Sequence, residues 1–580
     1  MLAPQPEDSV SDASSIEPTR LPPVRTQVRR AVERAWARAI STGTLPAVED
    51  GAPLPEVDVE RPAKPEHGDL ATSLALKLAR PYRQPPMAIA SAIAAELLAE
   101  ATDPTADSPI ATVEVAPPGF VNVRVADRAL ERVVEDVLGD PDRWGRVQTA
   151  RHRSVNVEFV SANPTGPLTI GNARGAFIGD LLSRVLEAGG QEVTREYYFN
   201  DSGRQIDNLG ASVLAVRKGE PLPEDGYHGA YVDDLAQDLP DDIRASATAA
   251  EADVGAAIAG RWAAARVREG IEASLTRLGV RFDVWKSEAS LHSEGWVQRA
   301  VDRLREHGHA YEQDGALWFR STGFGDDKDR VIIRSNGQPT YFAADIGYVT
   351  EKFSRGFDNL IYIWGADHHG TVARLRNAAE AMGYDRDAVQ VLLYSWVRFV
   401  RDGVEVSMSK RAGEFITLDE LLEEVGVDAA RWFFASRAHT SAIDFDIELA
   451  KKQSSENPVY YVQYAHARIA SIIRKAGEAG LEPADSVQGA LGEAPEAGLA
   501  RALARLPEVV EDAILAEETH GVTAYAHELA TTFHAFYRDA RVVDPEEPER
   551  SRARLALARA TQVTLANALG LLGISAPESM

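Results

Sequence analysis

The chain has 580 residues, 44% of them hydrophobic, a formal net charge of -26 and no cysteine. That length exceeds a single hydrophobic core and fits roughly three or four domains, and the lack of cysteine excludes disulfides, thiolate zinc sites and a cysteine nucleophile. No apolar run approaches the roughly 18 residues of a membrane span, so the composition is that of a water-soluble protein, with the cytoplasm as the simplest address.

Residues 1–20, MLAPQPEDSVSDASSIEPTR, are acidic and rich in Pro and Ser, which reads as a disordered tail and not a signal peptide. The negative total argues against a nucleic-acid partner, because phosphate affinity depends on Lys and Arg. Its distribution does not: Arg25, Arg29, Arg30, Arg34 and Arg38 cluster on the first predicted helix, and Arg550, Arg552, Arg554 and Arg559 near the other end. Either group also fits an ordinary solvated helix face. From about Leu21 to Val125 helical and strand patterns alternate, a small α/β module. Within it Gly68–Ala79 reads as an amphipathic helix capped by Asp69, and Val113–Val125 as two strands joined by a Pro-Pro-Gly turn.

The run Val155–Phe159 is β-branched and aromatic, Asn163–Pro167 breaks it, and an apolar helical pattern continues to Gly189-Gly190. Val193–Phe199 is a second strand, so the unit is a βαβ crossover whose helix opens at the carboxyl end of the first strand. A phosphate fits that helix mouth. Gly171, Gly175 and Gly179 recur every four residues on one face. Tight packing on the sheet accounts for Gly175 and Gly179, whereas a ligand approaching the backbone accounts better for Gly171.

From Asn200 to about Asp283 the pattern is mainly helical, an insertion into the sheet domain. Strands return at Ala316–Arg320 and Arg330–Ser335, followed by TYFAADIGYVTEKF, where Tyr341 and Asp345 lie four apart on one helical face. Leu360–Gly370, LIYIWGADHHG, is an apolar strand running into a helix, a second place where polar groups gather at a strand's carboxyl end. Val397–Leu418 reads as a strand, an Asp402-Gly403 hairpin turn, a strand and a loop carrying Ser407, Met408, Ser409, Lys410 and Arg411, whose hydroxyls and charge suit a polyphosphate. Beyond Leu418 the pattern is helical, with Asn457-Pro458 as a boundary. The adjacent His368 and His369 do not form a metal pair, since neighbouring side chains diverge and no HExxH spacing supports zinc. A nucleotide-binding oxidoreductase is excluded because no GxGxxG follows a strand.

REYYFNDSGRQIDNLGASV from Arg195, DKDRVIIRSNGQPTYFAADIGY, WGADHHG, MSKRAG and NPVYYVQYAHARI resemble, in order and spacing, the blocks of bacterial arginyl-tRNA synthetases. EHGDLATSLALKLAR near the start and GLLGISAP near the end extend the resemblance over nearly the whole chain. It implies an α/β multidomain protein: a tRNA-contacting α/β module over 21–135, and a class I Rossmann-type parallel-sheet catalytic domain over 150–418 with a helical insertion at about 200–283. A connecting helical region over 419–455 and an all-α anticodon-binding bundle over 456–580 would follow. The family makes arginyl-adenylate from arginine and ATP and esterifies the terminal ribose of tRNA(Arg), using magnesium with ATP and no organic cofactor. It is usually monomeric.

Carried over residue by residue, the resemblance implies an arginine site of Glu158, Asn163, Tyr341, Asp345 and Asp367, with Tyr341 and Asp345 on the guanidinium. A planar permanent cation needs such a carboxylate at fixed geometry. Gly171, Gly365, Asp367, His368, Met408, Ser409 and Lys410 stand at ATP-binding positions, and Arg30, Arg34, Tyr460, Tyr464 and Arg468 at tRNA-contacting ones. The catalytic positions are Thr169, Gly171, Asn172 and Lys410, and here the chain departs from the family. The pattern His-x-Gly-His appears as Thr169-Ile170-Gly171-Asn172, and Lys-Met-Ser-Lys as Ser407-Met408-Ser409-Lys410. Glu414 replaces the usual Asn, and Tyr394-Ser395-Trp396 interrupts a segment usually aliphatic or amide-bearing. Neutral donors are roughly half as strong as charge-assisted ones, so adenylation is expected to be weakened. Two readings stay open: an arginine-tRNA ligase, or an impaired paralogue that binds tRNA, arginine or arginyl-tRNA for a specialised or regulatory pathway.

Overall fold

The computed structural model describes residues 22–47, 55–149, 151–406 and 416–580. Helix α1 (Val24–Ser41) opens the chain, followed by β1 (Leu70–Thr72), α2 (Leu74–Tyr82), α3 (Pro86–Thr102), β2 (Ile110–Ala116), β3 (Phe120–Val125) and α4 (Asp127–Gly139). The three strands form an antiparallel sheet in the order β1-β3-β2. The expected helix over Gly68–Ala79 is corrected. Leu70 pairs with Val123, so a strand precedes α2, and Asp69 caps no helix: its carboxylate accepts from Val125 N at 2.8 Å and faces Arg501 at 3.0 Å.

The sheet domain begins with β4 (Ser154–Phe159), α5 (Ile170–Ala188) and β5 (Glu192–Phe199), the expected βαβ unit. Helices α6 (Arg204–Lys218), α7 (Ala230–Asp238), α8 (Asp241–Ala249) and α9 (Ala252–Arg277) form the insertion. A Cβ built on Gly210 of α6 would lie 2.0 Å from Ala256 O and 2.3 Å from Gly260 N of α9, so the two helices meet backbone to backbone. Then come β6 (Val284–Ser287), α10 (Glu288–Ser293), α11 (Trp296–Glu306), β7 (Ala310–Gln313), β8 (Ala316–Phe319), β9 (Arg330–Ile333), α12 (Tyr341–Ser354), β10 (Asn359–Gly365), α13 (His369–Ala381) and β11 (Val389–Tyr394). Strands β11-β10-β4-β5-β6 make a parallel sheet. Residues Val155–Phe159 of its central strand are all buried, as a strand covered on both faces requires. Nearly all of α5 is buried too, which matches its apolar pattern on every face.

The hairpin β12 (Val397–Arg401) and β13 (Val404–Glu405) turns at Asp402 and Gly403, with φ of 50° and 76°. Helices α14 (Leu418–Val425) and α15 (Val427–Ala435) follow, then β14 (Ile443–Asp446), a strand absent from the purely helical expectation beyond Leu418. It pairs in parallel with β12, Val397 against Ile443. The remaining elements are α16 (Ile447–Lys451), α17 (Pro458–Glu478), α18 (Ala494–Leu503), α19 (Leu506–Ala516), α20 (His520–Asp539) and α21 (Pro548–Leu571). Asn457 caps α17, accepting from Val459 N at 3.3 Å.

Two compact units result. One holds the chain up to Pro141 with Pro483–Glu508 and Ala540–Ala560; the other holds Asp142–Glu482, Val509–Asp539 and Thr561–Met580. The helices of 456–580 are thus divided between the two units. Inside the first, Arg61 meets Glu508 at 3.0 Å and Arg554 meets Glu496 at 2.8 Å.

Candidate active site

A cavity of about 960 Å³ opens at the carboxyl ends of β4 and β10, lined by Glu158, Asn163, Thr169, Asn172, Asp345, Gly365, Asp367 and His368 among others. Eight of the expected site residues therefore share one space. That is where ligands bind on a parallel sheet, outside the strand ends.

One side is the mouth of α5. Thr169 and Asn172 close on each other: Asn172 Oδ1 accepts from Thr169 N at 3.3 Å and from Thr169 Oγ1 at 3.0 Å. The Asn172 amide NH2 is the end not used by this box. Gly171 lies in open space, where an added Cβ would meet only Thr169 Oγ1 at 3.6 Å. The other two glycines differ. A Cβ on Gly175 would lie 3.2 Å from the Tyr394 ring, and on Gly179 2.1 Å from Phe159 Cγ, so both serve packing as expected. The expected Met408, Ser409 and Lys410, with Ser407, Arg411 and Glu414, lie outside the described residues. The chain resumes against the helix mouth: Ile170 N donates to Ile416 O at 3.3 Å and Leu418 N to Leu168 O at 2.9 Å.

The opposite side is acidic and phenolic. Asp345 faces the cavity from α12, and burial, then the neighbouring carboxylates Glu158 and Glu288, push its carboxyl up to about 7. Glu158 is itself held by Lys352, whose Nζ donates to Oε2 at 2.6 Å with both side chains buried, and Ser161 Oγ donates to Oε1 at 3.1 Å. Asn163 donates its amide to Gln205 Oε1 at 2.7 Å. Tyr341 stands apart. It is the first residue of α12, 72% exposed, and does not line the cavity, so only Asp345 of the expected guanidinium pair faces it.

At the end of β10 the Asp367 carboxylate turns back over Gly365, where a built Cβ would lie 2.4 Å from Oδ1, so a side chain there would have to push the exposed carboxylate aside. Asp367 and His368 are both exposed, 3.6 Å apart. Behind the site Arg174 of α5, 1% exposed, donates to four carbonyls: Ser395 O at 2.6 Å, Trp396 O at 3.2 Å, Ala438 O at 3.0 Å and Ser441 O at 2.6 Å. Burial lowers its guanidinium to about 10, and among the described residues no carboxylate bonds it. Glu196 anchors a further buried network, accepting from Asn156, Tyr348 and Arg355.

Several residues of this site were not singled out from the sequence. Tyr198 lines the cavity, its hydroxyl raised by burial and by Glu288, and the Glu288 carboxyl is raised by its own burial. Tyr227, His228 and Tyr231 come from the insertion, with Tyr231 donating to Thr165 O at 3.0 Å. A signal existed for Tyr348 and Lys352, which continue the helical stripe begun by Asp345 at spacings of three and four.

Elsewhere, Arg34 and Arg38 of α1 both bind Glu100 of α3, at 2.5 Å and 2.7 Å, while Arg30 is exposed. On α17 the rings of Tyr460 and Tyr464 stack at 6.3 Å, and Arg468 donates to Tyr464 Oη at 2.9 Å and to His534 at 3.3 Å. No helix among the described residues is long and apolar enough to cross a membrane.

Three family models match: "Arginyl tRNA synthetase N terminal domain" over residues 24–125, "tRNA synthetases class I (R), catalytic domain" over 133–443, and "DALR anticodon binding domain" over 462–580. The chain is 45% identical to an arginine-tRNA ligase of Geobacter sp. strain M21, an alignment covering 96% of this chain and 100% of that one. It is 44% identical to an arginine-tRNA ligase of Geobacillus thermodenitrificans, covering 96% and 99%. A solved putative arginyl-tRNA synthetase from Campylobacter jejuni superposes with a TM-score of 0.72 at 34% identity, over 79% of this chain and 100% of that one. The Thermus thermophilus arginyl-tRNA synthetase gives 0.72 at 25% identity, over 95% and 100%. A Rossmann-type parallel sheet with its polar groups at the strand ends, three matching models in order and relatives matched end to end place this chain in the arginyl-tRNA synthetase family.

Proposed function

We propose that the chain is an arginine-tRNA ligase. It joins arginine to ATP as arginyl-adenylate with release of pyrophosphate, then transfers arginine to the terminal ribose of tRNA(Arg). The observation that carries this reading is the shared cavity: a carboxyl suited to a guanidinium, Asp345, lines the same space as the α5 mouth suited to phosphates. Nothing in the site favours the impaired paralogue over this reading.

In this scheme Asp345 binds the arginine guanidinium and Asn163 receives the α-amino end. Tyr341, exposed at the start of α12, reaches the substrate only if the side chain turns inward on binding. The arginine carboxylate attacks the α-phosphorus of ATP, and the bond to the leaving pyrophosphate breaks. Asn172 donates its unused amide N–H to the phosphates, Thr169 adds its hydroxyl once that proton leaves Asn172 Oδ1, and the open backbone at Gly171 lets the phosphates approach the helix N-terminus. Gly365, Asp367 and His368 border the adenosine. Met408, Ser409 and Lys410 precede Ile416 by a few residues in the sequence, and Ile416 is bonded to the α5 mouth, which supports a phosphate role for Lys410. Magnesium enters with ATP as part of the substrate; among the described residues no three His, Cys, Asp or Glu gather to hold an ion of their own. Arg30 and Arg34 on α1 and the Tyr460, Tyr464 and Arg468 ladder on α17 are the tRNA-contacting surfaces, the latter pairing aromatic faces with a cation as single-stranded bases require. The enzyme acts as a cytoplasmic monomer.

Arginine-dependent exchange between ATP and pyrophosphate, run with and without tRNA(Arg), tests the reading. Exchange with arginine and not with lysine is expected. Its absence under both conditions defeats the ligase assignment.

A further inference from the structure

Tyr394 ends β11, where it pairs with Gly365 of β10 in the parallel register, and it lines the cavity while remaining partly exposed. Its ring reaches across to α5. A Cβ built on Gly175 would lie 3.2 Å from Tyr394 Cε1 and 3.2 Å from its hydroxyl oxygen, so the phenol tip rests against the glycine face of that helix. Gly171 is on the same face one turn earlier, about 6 Å along the axis at 1.5 Å per residue. It is bare, with only Thr169 Oγ1 near. The bare glycine and the phenol tip therefore stand side by side, separated by roughly the width of a purine ring.

The backbone that carries the phenol is fixed. Ser395 N donates to His439 O at 2.9 Å and Ser395 Oγ to Thr440 O at 2.7 Å, while Arg174 donates to the carbonyls of Ser395 and Trp396. The Tyr394 hydroxyl, by contrast, makes no hydrogen bond among the described residues. Burial, and then the Asp367 carboxylate, hold it above the ordinary tyrosine value, so at neutral pH it keeps its proton and can both donate and accept. Of the two small substrates proposed for this cavity, arginine is drawn to Asp345 and ATP to the α5 mouth. Only ATP brings a flat ring with acceptor nitrogens and an amine on its rim.

We infer that Tyr394 is a further specificity-determining residue of the nucleotide site, its hydroxyl hydrogen-bonding the rim of the adenine ring that lies on Gly171. The inference rests on the ligase reading proposed above. Where the neutral α5 mouth gives up charge-assisted bonds to the phosphates, a bond to the base restores part of the hold on ATP.

Tyr394→Phe in the full chain removes this oxygen and nothing else. Arginine-dependent pyrophosphate exchange is measured on parent and variant with ATP, with 1-, 3- and 7-deaza-ATP, and with the purine triphosphate lacking the 6-amino group. The KM for ATP is expected to rise about 3- to 10-fold, the range for a neutral hydrogen bond, while the KM for arginine stays put. One of the four analogues, the one missing the bonded rim group, should already be weak with the parent and lose nothing further with the variant. A KM for ATP within about twofold of the parent would overturn the inference. An equal loss with ATP and all four analogues would overturn it too, assigning the hydroxyl to packing against α5, as would an arginine KM that rose in step. A parent chain that gave no exchange with ATP under any condition would instead bring down the ligase reading. Calorimetric titration of ATP alone against parent and variant would then still decide the base contact by the same fold-change in Kd.

Discussion

Asp345 shows how much one carboxyl depends on its surroundings. In water it would be charged from about pH 4 upward, yet burial and the nearby Glu158 and Glu288 raise it to about 7. A raised carboxyl contributes stability that is present below the unfolded value of 3.8 and is lost as pH rises through the folded value of about 7. In the arginine scheme proposed above the guanidinium needs the charged form, so binding expels a proton whenever the free site holds one. The affinity for arginine should therefore plateau above pH 7 and fall about tenfold per unit at pH well below it. Calorimetry in two buffers of different ionisation enthalpy measures the proton released. Asp345→Asn, nearly isosteric, should weaken arginine binding by at least about 100-fold, the upper end of a charge-assisted bond, and flatten the pH dependence. A variant whose binding kept the parent's slope would move the titrating group elsewhere. Asp345 was legible in the sequence because its block is long and its spacing helical. Tyr198 and Glu288 were not, because they meet it only when β5, α10 and α12 converge, and no local pattern encodes that meeting.

Helix α5 carries its three glycines for two different reasons, which substitution should separate. At Gly179 a methyl group would collide with the Phe159 ring, 2.1 Å from the built Cβ. Gly179→Ala should cost about 1–3 kcal/mol of overpacking, more than the roughly 1 kcal/mol of helix propensity it gains. At Gly171 nothing but Thr169 Oγ1 lies near, at 3.6 Å. Gly171→Ala should leave the melting temperature unchanged or raise it slightly, while the KM for ATP increases. If both variants melted alike, the division between packing and ligand approach would be wrong. The helix mouth gives a companion test. Thr169→His with Asn172→His replaces two neutral donors by groups able to carry charge, and should raise the arginine-dependent exchange rate by about tenfold or more. The same change removes the Thr169–Asn172 box and should lower stability by about 1 kcal/mol. An exchange rate that did not rise would show that neutral donors suffice here. The βαβ unit was readable because its apolar period switches at Asn163–Pro167. The short strands β1 and β14 were not, since each exists through a distant partner, β3 and β12, that overrides local helical preference.

The GLLGISAP block, visible in the sequence only as a resemblance, has a physical reason at the scale of the larger unit. Arg431 of α15 is fully buried and donates to Leu572 O at 2.6 Å, to Leu278 O at 3.0 Å and to Asp180 of α5. One guanidinium thus ties the final turn of the chain, the end of the insertion and the helix that opens the site. Gly573 lets the backbone pass over it, with φ of 65° and a built Cβ only 2.2 Å from Arg431 Nη2. No spacing rule could have joined residues 180, 278, 431 and 572, because the contact depends on three long connections closing together. Arg431→Ala should be strongly destabilising, by about 3–5 kcal/mol, because it strands the buried Asp180 carboxylate with fewer partners. Arg184 at 2.8 Å remains to soften that loss. Gly573→Ala should cost about 1–3 kcal/mol through the clash with the guanidinium. The two losses should not add. With Arg431 already truncated the methyl group has room, so Gly573→Ala should then cost only its left-handed backbone strain, about 1 kcal/mol. Calorimetric melting of the parent, both single variants and the double variant measures the coupling. Strictly additive losses would mean that Gly573 is required for the turn alone and that the guanidinium does not set the course of the C-terminal tail.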